Sequence, residues 1–171
     1  MDVAQLFLDR SRYYLRDEYR TKLRRAVETL PPDALWWRAN DASNSVGNLL
    51  LHLTGNVRQW IVTGVGRGPE SRDRASEFAA RYGQPASELL AQLDEAVDEA
   101  LAVIDLLEPS ELLTRRIIQG RDVTVCEAIY HVVEHFAMHM GQVILIAKHH
   151  APGAIKFYED AGGLARPIWR G

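Results

Sequence analysis

Cysteine is almost missing: Cys126 is the single one among 171 residues. An intramolecular disulfide is therefore excluded, which fits a reducing compartment, and the core must hold without staples. An excess of basic charge is missing too. With 20 Lys and Arg against 23 Asp and Glu, the formal net charge is −3, so the electrostatic footprint of a nucleic-acid-binding domain is absent and no nucleic-acid partner is expected. Long apolar runs are lacking as well. The N-terminal stretch is broken by charges at Asp2, Asp9 and Arg10, so it reads as neither a signal peptide nor a membrane span, and the expected location is cytoplasmic with no membrane partner. Repeats and low-complexity tracts are also missing. What remains, 47% hydrophobic and 25% charged residues, is the composition of a globular protein. A chain of this length can bury roughly 70% of its unfolded surface, and residues 1–171 are expected to form one domain.

Residues 2–30 contain no Gly or Pro, which predicts a long first helix ended by Pro31 and Pro32. Trp36 and Trp37 follow in a short connection, read as a lid over the core. Ser43 and Ser45 are candidate N-caps for a second helix carrying Leu49, Leu50, Leu53, Val57, Trp60 and Ile61 at helical spacing. The glycines of GVGRG then open a connection over residues 64–84, long enough to cross the molecule. From Pro85 a third helix repeats Leu89, Leu93, Ala96, Val97, Ala100 and Ile104 on one face. Its other face holds Asp94, Glu95, Asp98 and Glu99, read as solvated rather than metal-binding. Thr124 and Glu127 form a capping box ahead of a fourth helix running to about Lys148. The tail, residues 149–171, reads as irregular, and no strand is predicted. Four long amphipathic segments imply an all-α four-helix bundle, a fold that builds its sites from side chains on facing helices.

Three histidines interrupt the fourth helix at four-residue spacing, in HVVEHFAMHMGQ. At 100° per residue, Val125, Ile129, Val132, Phe136 and Val143 mark the buried stripe, and His139 lies at its edge. His135 is about 40° further round and His131 another 40° beyond, towards Glu134. The pair His135 and His139, one turn apart, can share a metal ion. His52, in NLLLHLTGN on the second helix, is the one histidine outside the last third of the chain and supplies the third donor that an open metal site needs. Spacing alone leaves open whether these are ligands or hydrogen-bonded core residues. His131, His149 and His150 read as supporting or surface residues.

The first five letters, HVVEH, also match the H-x-x-E-H pattern of inverted zinc peptidases, with His131 and His135 on the metal and Glu134 polarising water. Only 36 residues follow His135, and Glu159 and Asp160 are the acids among them. This reading leaves His52 and His139 without a role.

HFAMHMGQ resembles the H-x-x-x-H-x-G-Q signature of the DinB-like superfamily, the damage-inducible proteins related to bacterial thiol S-transferases, and SVGNLLLHLTGN resembles its second-helix segment. The resemblance spans most of the chain. It implies an up-down-down-up bundle with residues 64–84 as the crossover between helices 2 and 3, frequently a homodimer. It implies that His52, His135 and His139 bind a divalent metal, often nickel or zinc. It further implies a metal-dependent thiol transferase or hydrolase acting on a small-molecule substrate, with a low-molecular-weight thiol as a second cofactor. Met138 and Met140 stand where many members carry a histidine and a basic residue. Gln142 and Asn56, about one turn from ligands, are candidate hydrogen-bonding supports; Glu134 is a candidate base, and Arg58 and Tyr14 candidate pocket residues. The alternative in another class is a non-catalytic bundle, its metal structural or absent, acting through a dimer surface.

Overall fold

The computed structural model describes residues 2–170, and it is mostly helical. α1 (Val3–Tyr13) runs without a break through a π-helical segment, Tyr14–Tyr19, into α2 (Arg20–Glu28). Leu8, Leu15, Leu23 and Val27 are buried along it. The predicted first helix is thus one rod with a π insertion, the device that shifts a side-chain register in mid-helix. α3 (Val46–Val57) starts at Ser45, whose hydroxyl accepts from the Asn48 amide while the Asn48 side chain accepts from the Ser45 amide. It continues as a π segment, Arg58–Val65, to Gly66.

The connection over residues 64–84, expected as the crossover, is not bare chain. It contains a short helix, α4 (Arg74–Ala79), with Asp73 as N-cap. α5 (Ala86–Asp105) buries Leu89, Leu93, Val97, Ala100 and Ile104 as predicted. Its acidic face is solvated as expected, and its acids also pair with arginines there: Asp94 with Arg24, Asp98 with Arg20, and Glu95 and Glu99 with Arg58. α6 (Val125–His150) opens on the Thr124 and Glu127 capping box and buries Val125, Ile129, Val132, Phe136, His139 and Val143. α3 packs on α5 and α6, and α2 on α6. Among the described residues no helix is long and apolar enough to cross a membrane.

Strands correct the reading that there are none. β1 (Arg115–Ile118) and β2 (Arg121–Thr124) pair antiparallel, Ile118 opposite Arg121. Their two-residue turn puts Gln119 at φ 52° and Gly120 at φ 73°, the positive-φ pair of a type I′ hairpin. Four-residue strands are too short to show an alternation, and Gln-Gly is a weaker turn signal than Asn-Gly. The tail is largely turns and bends, and within it a short hairpin forms: β3 (Tyr158–Asp160) pairs with β4 (Ala165–Pro167) beyond the end of α6. Of the expected tryptophan lid, Trp36 packs on the core and Trp37 stays partly exposed, stacked on His149.

Candidate metal centre

His52 comes from the middle of α3 and His135 and His139 from the middle of α6, where packing of these two helices brings them face to face. The ring centroids are 4.9 Å apart for His52 and His135, 5.0 Å for His52 and His139, and 4.4 Å for His135 and His139. One nitrogen from each ring lies within 4.8 Å of the others. His52 and His139 are buried, 4% and 8% exposed, and His135 is half-buried. This follows the predicted order around α6, with His139 deepest.

The hydrogen bonds determine which nitrogens are free. His52 Nδ1 lies 2.9 Å from Glu77 Oε2. Arg72 Nη2, which can only donate, lies 3.1 Å from the same Nδ1; the carboxylate, which only accepts, makes the shorter contact and places the proton on Nδ1, leaving Nε2 bare. His135 Nε2 sits 2.9 Å from that bare nitrogen and donates to it. His139 Nδ1 donates to Gln142 Oε1 at 2.8 Å, leaving its Nε2 bare as well. The three rings therefore share one inward N–H among three nitrogens, and a cation could take the place of that proton. Burial is the main reason the His135 pKa is pushed down to about 3, with His139 and His52 adding to it. Burial likewise lowers His139, against the Gln142 hydrogen bond, which raises it. Neutral imidazole is the form that ligates metal, so these donors fit a divalent cation.

Glu77 and its partners were not visible in the sequence. Arg72 grips the carboxylate with two hydrogen bonds, Nε to Oε1 at 2.7 Å and Nη2 to Oε2 at 2.8 Å, and gives a third, from Nη1, to Gln59 Oε1 at 2.9 Å. Both side chains are nearly out of water, 4% exposed for Arg72 and 8% for Glu77. Burial by itself would raise the Glu77 carboxyl, but the hydrogen bonds from Arg72 and His52 outweigh it and hold the pKa below the usual range. Phe78, next along α4, packs on the His52 ring at 4.6 Å. The only sequence signal for α4 is the Asp73 cap; nothing marks Glu77 as buried.

The chain belongs to the family described as Protein of unknown function (DUF1572), whose model matches residues 2–157. No curated protein matches it. The matched span takes in the three histidines as well as Arg72 and Glu77.

The remaining candidates fall into place around this core. Gln142 is on His139, as expected of a support. Asn56 is not on a ligand: its Nδ2 lies 3.2 Å from His131 Nε2. His131 itself packs against Trp60 in a tilted contact at 4.1 Å and stacks on His135 at 5.2 Å, outside the group of three. Glu134 is exposed, so the H-x-x-E-H arrangement is not assembled at the cluster. Arg58 is committed to Glu95 and Glu99 and lines a cavity of about 560 Å³ that also borders Gln59, Arg72 and Glu77 but none of the histidines. Tyr14 stacks on Tyr19, which stacks on Phe136, an aromatic packing role. His149 and His150 flank Trp37 at the far end of α6. Burial raises the Cys126 thiol, which leaves it a poor nucleophile.

Proposed function

We propose that the chain is a DinB-like protein of one domain, an up-down-down-up four-helix bundle whose centre holds a divalent metal, nickel or zinc, between His52, His135 and His139. The observation that carries this reading is the convergence of three imidazoles from two separate helices, with one nitrogen from each within 4.8 Å of the others. A metal bound by three protein ligands supplies Lewis acidity and can make water or a thiol nucleophilic near neutral pH. The chain's part is to fix donor directions: Glu77 orients His52 and Gln142 orients His139, while burial keeps His135 and His139 unprotonated. This supports a metal-dependent transferase or hydrolase of small molecules, with a low-molecular-weight thiol as the donor in the transferase case, in a cytoplasmic homodimer. The test is turnover by protein reconstituted with nickel or zinc, with a panel of thiols against electrophilic substrates and a parallel panel of hydrolysable esters and amides. Turnover that disappears in His135→Ala supports the proposal.

A second reading keeps the same fold without catalysis and has its own observation. α6 turns Tyr130, Met138 and Leu145 outwards, exposed by 63%, 48% and 70%, an apolar stripe of the kind that marks association surfaces. Metal-loaded protein that is inert across both panels, yet dimeric in sedimentation, would favour this reading.

A further inference from the structure

Burying an ion pair costs several kcal/mol for each ion and is repaid only by close, well-satisfied geometry. The crossover meets that cost with Arg72 and Glu77 at the one place where it passes His52. The path is prepared on α3. Gly55 lies three residues after His52, and a Cβ there would stand 2.2 Å from Glu77 Oε1 and 2.8 Å from Arg72 Nε. Glycine inside a helix costs about 0.5–1 kcal/mol relative to alanine, so α3 gives up stability where the carboxylate enters. α4 is also held by its backbone. Asn48 Nδ2 donates to Glu77 O at 2.8 Å and Ala80 O at 2.9 Å, and Arg38 Nη2 donates to Ala80 O at 3.0 Å and Asn48 Oδ1 at 2.6 Å. The carboxylate is aimed, not merely tolerated.

We infer that Glu77 is a positioning residue for His52: held by Arg72 in the notch at Gly55, it keeps His52 in its Nδ1–H tautomer and turns the bare Nε2 towards His135 and His139. A histidine without such a partner can carry its proton on either nitrogen, and half its tautomers would then point an N–H at the cluster. The inference deepens the metal-centre reading and rests on it for its use. Its first test does not need a metal.

That test is the imidazole nitrogen spectrum of metal-free protein by ¹⁵N NMR, for wild type, Glu77→Gln and Gly55→Ala. In wild type, His52 should show a protonated Nδ1 and a bare Nε2. In Glu77→Gln the amide can serve His52 or Arg72 only by turning its own N–H groups on the other, so the single tautomer should give way to a mixture. Gly55→Ala keeps Glu77 in the chain but displaces its carboxylate, and should give the same mixture; it decides the matter if Glu77→Gln does not fold. An unchanged His52 tautomer in the folded variants overturns the inference. The second readout is nickel or zinc affinity by chelator competition, expected to fall about 10- to 100-fold in both variants with helical circular dichroism unchanged. Wild type that binds metal with variants of equal affinity and tautomer defeats this inference alone. Wild type that binds no metal defeats the metal-centre reading, while the tautomer result stands on its own.

Discussion

Two segments that lie outside the long helices, the crossover and the tail, are each fastened by a buried cation, and the two fasteners differ in where their hydrogen bonds end. In the tail the cation is Lys22 of α2, 6% exposed. Its ammonium donates to Glu18 at 2.6 Å and to the Tyr158 hydroxyl at 2.7 Å, and lies 4.9 Å from the ring centres of Tyr158 and Trp169. Arg25 adds a hydrogen bond to the Ile168 carbonyl. The two acceptors of Lys22 join α2 to the tail, and this network holds β3 and β4 against α2. In the crossover the cation is Arg72, and its carboxylate partner Glu77 has lone pairs within reach of an imidazole. One of them goes to His52. The same fastening physics thus ends in packing at one site and sets the protonation pattern of an imidazole at the other.

Breaking the two sites should give opposite signatures. The largest effect is expected from His52→Ala or His139→Ala, each of which leaves two donors and should abolish stoichiometric metal retention through gel filtration, with the tail undisturbed. Next is Lys22→Ala. Removing one member of a buried pair should cost about 3 kcal/mol, seen as a lower urea midpoint at constant slope, while metal content stays at the wild-type value. A metal content that fell with Lys22 would show that the two fasteners are coupled after all.

Acid provides a gentler probe. The His135 pKa lies at about 3 in the folded, metal-free chain, mainly through burial, against about 6.5 when unfolded. The unfolded state therefore binds more protons between these values, so the contribution of His135 to stability is complete above pH 6.5 and is lost as pH falls towards 3. At pH 5 the loss should be about 1–2 kcal/mol. The same urea series on His135→Gln, which cannot titrate, should show a drop smaller by that amount. Equal drops would place the His135 imidazole in water.

The smallest effect is expected from His131→Ala. This ring packs on Trp60 and meets Asn56, so metal affinity should change by less than about threefold. A large loss would bring His131, and with it the H-x-x-E-H reading, back to the cluster.

The parts of this molecule legible in sequence are those with a long period. The stripes of α3, α5 and α6 repeat over three or more turns, and the angular order of His131, His135 and His139 followed from 100° steps alone. His52 was findable because histidine is rare outside the last third of the chain. The hairpins were not, since three- and four-residue strands carry no measurable alternation. Glu77 and Arg72 were hidden for a different reason: their roles come from a contact between α4 and α3, twenty-five residues away in sequence for Glu77 and His52, and a buried glutamate looks like any surface glutamate until its partner is placed. Gly55 carried the one available hint, a glycine inside a strongly helical run, which signals a close approach without naming what approaches.

The central claim is that three imidazoles from α3 and α6 hold one divalent ion. Elemental analysis of the purified, untagged protein by plasma mass spectrometry, beside His135→Ala, tests it most directly. The account predicts close to one nickel or zinc ion per chain in the wild type and none in the variant. A wild type without metal, even after reconstitution with either ion, would contradict it and leave His52, His135 and His139 as hydrogen-bonded core residues.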